Sequence, residues 1–387
     1  MTRAKLSQIT VYPVKSVAGI SMSTAWVEKQ GLAFDRRFML AFVDGSMITA
    51  RRFPQMVKIR SALLPDGIRF SAPNVTDLVI HYDTFSMQPF SATVWKDTFS
   101  AFTTDEQADR WFSRIIGEPV KLLYTGEQSN RYREKLGHNV SFADGYPLLL
   151  ISQGSLDELN RRSPEKHSMA QFRPNLVASD CAPFAEDKWK RIKIGEVEFA
   201  VVKPCERCVL TTVDVQTGRF KTSREPLKTL AQFRANEQGG VFFGQNLVAL
   251  NEGMINQDDL IEVLEYQQGE EYADHFSGSA SSQSEEQSAS VFPEQNSTVK
   301  ASQTLTLLFN DTVVFGNSEM TLLEQAERNG VAIANSCRAG LCGTCRVKVV
   351  AGEVDQADVP ALPHIDSANG MVLACCCVPQ SDVKIEF

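Results

Sequence analysis

A chain of 387 residues is longer than one ordinary hydrophobic core supports, so two or three domains are expected. Its 43% hydrophobic and 22% charged content is that of a soluble globular protein. The formal charge of −8 is gathered late: residues 1–266 carry 33 Lys/Arg against 31 Asp/Glu, residues 267–303 carry 1 against 6, and residues 304–387 carry 5 against 10. An acidic C-terminal module suits docking to a basic protein surface, and the absence of a basic stripe interleaved with aromatics argues against nucleic acid. No apolar run nears the roughly 20 residues that span a bilayer, the longest being YPLLLI at 146–151, so no membrane association is expected. The start, MTRAKLSQITVYPVK, lacks an apolar stretch followed by a small-residue cleavage site, and a cytoplasmic location is the default expectation.

Short strands follow one another through residues 1–97: QITVYPVKS, RRFMLAFVD, SMITARR, MVKIRSALL, GIRFSA and DLVIHY, separated by turns such as DGS and PDG. Many short strands with close turns predict a small barrel or sandwich. Residues 98–266 open on a predicted helix, TDEQADRWFSRII, with a Thr/Asp start and apolar residues at helical spacing. After it come VKLLY, PLLLIS, a helix GSLDELNRR, PNLVAS, the pair RIKIGEVEFAVVKP, and strands VLTTVD and DLIEVLEY, a β-rich region with mostly antiparallel strands. From 267 to 303 the periodicity is lost, and GSASSQSEEQSAS (278–290) holds too few aliphatics to offset ordering entropy, the mark of a flexible linker. Such a segment spans on the order of 30–35 Å, so the modules on either side can meet without being rigidly joined. Residues 304–387 form a separate unit: strands TLTLLF and DTVVFG, a helix TLLEQAERNG, a Cys/Gly-rich loop, and strands RVKVVAGEV and DVKIEF.

Nine cysteines lie at 181, 205, 208, 337, 342, 345, 375, 376 and 377. An odd count in two clusters disfavours a disulfide framework and points to metal chemistry. SCRAGLCGTCRVKV places Cys337, Cys342 and Cys345 at x4 and x2 spacing, and Cys375 follows after 29 intervening residues. That is the plant-type [2Fe–2S] ligand pattern, and Gly340 and Gly343 let the loop wrap closely enough to aim amides at the sulfurs. A structural zinc site using Cys342 and Cys345 with another pair is the alternative, but the usual zinc-site pairing is missing. In VLACCCVP the ferredoxin pattern makes the cysteine after LA, Cys375, the ligand, with Cys376 and Cys377 as packing or bystander thiols, either of which could replace a lost ligand. The second cluster, KPCERCVLTTVD at 203–214, admits three readings: half of a zinc site, a redox dithiol, or a place where one sulfur matters. A redox dithiol needs a helix N-terminus in a βαβ setting, whereas a β-branched strand is predicted after Cys208. The five histidines show no ligand spacing. A cluster that carries single electrons needs a reductase or an acceptor beside it. No G-x-G-x-x-G after a strand and no P-loop occurs in the first 266 residues, so that part is the expected acceptor, with its own cofactor.

The motifs YPVKSVAG, GLAFDRRFML and ITARRFPQM resemble the N-terminal barrel of MOSC proteins; DGYPLLLIS, FRPNLV, PCERCVLTTVDVQTG and FGQN resemble the MOSC domain itself. Their order is similar to that of the mitochondrial amidoxime-reducing components, and the fusion to a ferredoxin is similar to the bacterial YcbX-type proteins that protect cells from N-hydroxylated bases. The resemblance implies a β-rich α+β multidomain chain: an N-terminal MOSC β-barrel (1–97), a MOSC β-barrel domain with helices (98–266), a flexible linker (267–303) and a β-grasp ferredoxin (304–387). It also implies a molybdenum cofactor, a metal held by a pyranopterin dithiolene with one protein cysteine. By the family pattern that cysteine, ligand and catalytic residue together, is Cys208, while Cys205 packs. Lys203 and Arg207 are expected to keep its sulfur anionic. Lys15, Ser16, Arg36, Arg173, Asn175, Arg207 and Asn246 match the cofactor contacts, and Tyr146 and Glu206 depart from the family pattern.

The activity implied is reduction of N-hydroxylated small molecules such as hydroxylaminopurines and amidoximes to amines. Electrons would come from an external NAD(P)H-dependent flavoprotein reductase through the [2Fe–2S] cluster to molybdenum. A carrier of molybdenum cofactor or sulfur, and an electron-transfer subunit whose partner does the chemistry, are the alternatives.

Overall fold

The computed structural model describes residues 4–275, 304–318, 320–335, 340, 343–356, 362, 366 and 369–387. The expected linker from residue 276 onward, and the expected cluster ligands Cys337 and Cys342, lie outside the described residues. Two compact units are present, residues 1–230 with 242–272, and residues 231–241 with 273–387. Among the described residues no helix is long and apolar enough to cross a membrane.

In the first unit eight strands form one sheet, in the order Ile20–Met22, Lys5–Val11, Leu176–Ser179, Leu148–Ser152, Phe242–Ala249, Val197–Glu206, Trp189–Ile194 and Ile261–Tyr266. All neighbours are antiparallel except Leu148–Ser152 and Leu176–Ser179, whose crossover contains the helix Gln153–Arg162. Such a parallel pair needs a crossover of this kind, and the helix caps itself, Ser152 accepting from the Ser155 amide. Alternation of buried and open residues drives the sheet: Val197, Phe199 and Val201 turn inward onto Leu148, Leu150, Leu176 and Leu247. The alternation fails past Val201, where the register slips between Val201 and Lys203 and again between Pro204 and Glu206. These bulges bend the strand at the point where it delivers the cysteine pair, and bulges of this kind re-aim side chains beside functional sites.

Smaller sheets complete the unit. Phe38–Ala41, Lys121–Tyr124, Asp97–Thr103 and Pro89–Val94 form one, and Arg60–Leu64, Gly67–Ala72 and Val75–His81 a meander. The expected helix is Glu106–Ile116, capped by Asp105 and ended at Gly117, and it packs Trp111 and Phe112 on Phe70. One expected strand is different. Val209–Thr212 of VLTTVD is a 3₁₀ turn, and only Val213–Asp214 is extended. Thr211 Oγ1 donates to the Cys208 carbonyl (3.0 Å) and Thr212 Oγ1 to the Val209 carbonyl (2.8 Å), so the hydroxyls stabilise a turn that β propensity alone argues against.

In the second unit, Thr312–Gly316, Leu305–Phe309, Val383–Glu386, Arg346–Ala351 and Met371–Leu373 form a five-stranded sheet, with Leu305–Phe309 parallel to Val383–Glu386. The helix Leu322–Arg328 is held by a Thr321/Glu324 capping box and buries Leu322, Leu323 and Ala326 in the same core as Leu307 and Ile385.

Gly244, in the strand Phe242–Ala249, has φ +79°, and a Cβ there would lie 2.5 Å from Ile151 Cγ1 and 2.7 Å from the Leu150 carbonyl oxygen. Gly244→Ala is expected to destabilise the first unit by on the order of 2 kcal/mol, read as a lowered midpoint in denaturant unfolding.

Candidate functional site

Lys15, Ser16, Arg36, Arg173, Asn175, Arg207, Cys208 and Asn246, eight residues from distant segments, line one cavity of about 310 Å³ in the first unit. Three of them, Ser16 (φ +68°), Arg36 (+48°) and Arg173 (+56°), hold left-handed backbone without being glycine. Such conformations cost free energy and cluster at ligand sites. The Tyr12 ring gathers two of the cations, Arg173 Cζ lying 4.2 Å and Arg36 Cζ 4.6 Å from its centroid. Arg36 also donates to the buried Asp35 carboxylate and to Asn175 Oδ1 (3.0 Å). Asn175 is used from both ends: Oδ1 also accepts from the Leu149 amide, and Nδ2 donates to the Thr10 carbonyl and to Asp35. It therefore holds Arg36 in place.

The electrostatics are those of cations short of partners. Burial pulls the Arg173 guanidinium down to about 10, with Arg36 adding to the effect, although Tyr12 and Asp35 oppose it. Arg173 Nη1 donates to the Val17 carbonyl (2.7 Å); Arg207 donates to the Phe243 (2.8 Å) and Phe172 (3.0 Å) carbonyls. Arg173 Nη2 and Arg207 Nη2 are buried with no hydrogen-bond partner among the described residues. An unmade bond on a buried charged donor is costly, and an anion in the cavity would relieve it. Lys15 Nζ donates to the Phe142 carbonyl (2.8 Å) and to Asp144 Oδ1. Burial pushes it down to about 8 despite Asp144.

The cation on the Cys208 sulfur is neither of the two neighbours expected from the sequence. Arg51 Nε donates to Cys208 Sγ at 3.3 Å, and Arg51 Nη2 donates to Asp144 Oδ2 at 3.1 Å. Burial works against the Arg51 charge, but the Cys208 sulfur and Asp144 outweigh it and raise its pKa. Arg207 instead spends two of its nitrogens on backbone carbonyls, and Lys203 lies 5.9 Å from the Tyr146 ring centroid. Adjacent residues on extended backbone project to opposite sides, so sequence neighbours are the wrong place to look for a sulfur's partner. Cys205 lines the same cavity, and burial pushes its thiol up.

In the second unit Cys345 and Cys375 are buried, 2% and 6% exposed, and hydrogen bonding of the Cys375 thiol with Cys345 first and Cys376 second holds it protonated and pushes it up, with burial adding to the effect. Cys376 Sγ lies 3.4 Å from Cys375 Sγ, and Cys377 is fully buried. Cys181, Cys205, Cys208, Cys375 and Cys377 form no disulfide.

The chain matches the MOSC N-terminal beta barrel domain over residues 3–119, the MOSC domain over 137–262 and the 2Fe-2S iron-sulfur cluster binding domain over 310–380. Mitochondrial amidoxime-reducing component 1 of Mus musculus is 32% identical over 279 residues, 67% of this chain and 82% of that protein. The chain belongs to the amidoxime-reducing component family. Mitochondrial amidoxime reducing component 2 of Homo sapiens is 33% identical over 246 residues, 59% of this chain and 72% of that protein. Molybdenum cofactor sulfurase of Arabidopsis thaliana is 32% identical over 264 residues, 62% of this chain but only 32% of that protein. The family resemblance carried by the sequence motifs thus holds, and with it the β-rich MOSC architecture followed by a 2Fe–2S domain.

Sequence reasoning missed Arg51, Asp144 and Tyr12, although all three sit inside the motifs ITARRFPQM, DGYPLLLIS and YPVKSVAG. The available signal was a charged or phenolic side chain inside a family motif with no role allotted to it. Because the folded state has lost the Lys15 proton above about pH 8 while the unfolded chain keeps it to 10.5, unfolding takes up a proton across that window. Stability of the cofactor-free protein relative to Lys15→Met is therefore expected to rise from pH 8 towards 10.5, measured by denaturant midpoints at each pH. For the second unit, Cys375→Ser is expected to abolish the visible cluster absorption of purified protein, while Cys376→Ser retains it.

Proposed function

We propose that the protein is a molybdenum-cofactor oxidoreductase that reduces N-hydroxylated compounds, hydroxylaminopurines and amidoximes among them, to amines. The observation that carries this is the Cys208 sulfur facing a cavity whose lining holds Lys15, Arg36, Arg51, Arg173 and Arg207, two of them with unpaired guanidinium nitrogens. A pterin phosphate dithiolene is anionic and rich in acceptors, and a soft thiolate suits a metal already bound by sulfur, so donors and charge fit. Cys208 would hold the metal. Lys15, Ser16, Arg36, Arg173 and Arg207 would hold the phosphate and pterin, with Asn246 on the neighbouring strand. Bound there, the cofactor supplies the two-electron chemistry of R–NHOH + 2e⁻ + 2H⁺ → R–NH₂ + H₂O.

The chain's own residues set the conditions for it. Arg51 fixes the position of the Cys208 sulfur. Asp144, held well below the usual carboxylate range by Lys15 and Arg51 in spite of its desolvation, keeps those two cations from repelling each other. An anion beside Lys15 Nζ draws back the proton that burial removes, so loading the site takes up a proton above about pH 8 and close to none at pH 7. The electrons would come from an NAD(P)H-dependent flavoprotein reductase by way of the 2Fe–2S domain. The match to a molybdenum cofactor sulfurase makes a cofactor or sulfur carrier the second reading. The fused 2Fe–2S domain argues against it, because a carrier has no use for electrons.

Purified wild-type protein is expected to contain molybdenum and iron and, given a reductase, to reduce 6-hydroxylaminopurine. Cys208→Ala should lose molybdenum and turnover while the cluster spectrum persists; full activity in that variant would overturn the assignment of Cys208.

A further inference from the structure

The hairpin of Pro89–Val94 and Asp97–Thr103 closes through two residues, Trp95 and Lys96, since Val94 pairs with Asp97. Trp95 takes φ +58°, a turn conformation that favours glycine or asparagine. A tryptophan there is costly in backbone energy, and it is also 49% exposed. Yet the indole is tethered. Its Nε1 donates to Asp144 Oδ1 at 3.1 Å, and Arg51 Cζ lies 4.6 Å from the ring centroid. Arg51 and Asp144 both line the Cys208 cavity, and Arg51 is the residue that reaches the sulfur. Trp95 is thus one side chain removed from Cys208, with a guanidinium against its ring and half of its surface open to solvent.

We propose that Trp95 is the substrate platform of this site, a specificity-determining residue that stacks a neutral, planar N-hydroxylated heteroaromatic or aryl amidoxime on its open face. The inference rests on the N-reductive function proposed above. A rigid aromatic surface binds any flat π system without reading its edge, which suits a site that accepts purines and amidoximes alike. The ligand class is neutral because Arg51 already occupies the ring electrostatically, and a second cation across the same ring would repel the first. The tether assists the ring: an indole anchored to Asp144 loses little freedom when a ligand stacks on it.

The test uses full-length wild-type protein, Trp95→Ala and Trp95→Phe. Adenine, planar and not reducible here, is expected to quench tryptophan fluorescence of the wild type saturably, with that quenching absent in Trp95→Ala. KM for 6-hydroxylaminopurine is expected to rise about tenfold in Trp95→Ala and less than threefold in Trp95→Phe, whereas KM for the aliphatic acetamidoxime changes less than twofold. Quenching that survives in Trp95→Ala, or an equal rise in KM for both substrates, would overturn the proposal. If Trp95→Ala fails to fold or to hold molybdenum, Trp95→Phe decides: a tenfold rise in its KM for the purine alone would mean that the indole's tether and not its face matters, and the platform is rejected. A wild type that shows Trp95-dependent quenching but reduces neither compound would sink the functional proposal and leave the platform standing.

Discussion

Positive charge gathered around one cavity is the condition on which the site in the first unit depends. Six cations, Lys15, Arg36, Arg51, Arg173, Lys203 and Arg207, line a cavity of about 310 Å³ together with only two carboxylates, Asp144 and Glu206. Like charges repel by about 4 kcal/mol for a pair at 4 Å at the effective dielectric of a protein surface, and by less at longer range. The chain tolerates this by four devices. Backbone carbonyls take up Arg207 and Lys15; the aromatic ring of Tyr12 takes Arg36 and Arg173; the buried Asp35 pairs with Arg36; and Asp144 bridges Lys15 and Arg51. What remains unbalanced is what an anionic ligand would complete.

The fold supplies that arrangement by putting irregular backbone where the sheet meets the cavity. The strand Val197–Glu206 is regular only while it buries Val197, Phe199 and Val201; two bulges and a 3₁₀ turn then bring Cys205 and Cys208 to the lining. Ser16, Arg36 and Arg173 each sit in left-handed backbone, and Asn175 fastens Arg36 through bonds to Thr10, Asp35 and Leu149. These are stability costs met by the surrounding sheet core, whose Leu6, Ile9, Leu150, Leu176 and Phe199 are fully buried. Rigidity at the site is what such a scaffold provides: a pterin and its metal need donors that do not have to reorganise.

Pairing this site with a 2Fe–2S domain divides the labour by charge and by chemistry. The C-terminal module is acidic and the MOSC part is close to neutral. Each is built on its own core, Leu307, Phe309, Leu322 and Ile385 in the smaller unit, which lets a cluster and a cofactor site be assembled separately on one chain.

By itself the sequence carried the MOSC and 2Fe–2S domain composition and eight of the residues that line the cavity. Cysteine spacing, strand alternation and motif order are local properties of the chain, and they survive without coordinates: the helices Glu106–Ile116 and Gln153–Arg162 fall where their caps and periodicity put them. Only the tertiary structure decided which cation touches which anion. Arg51 lies 157 residues from Cys208 along the chain, and Lys15 lies 129 from Asp144. Arg207, bonded covalently beside Cys208, turns instead to Phe172 and Phe243. The turn at Val209–Thr212 was hidden for the same reason in miniature: threonine has a strand preference until its hydroxyl finds a backbone carbonyl. Electrostatic partners are set by distance in space, and distance in space is the sum of every strand register between them.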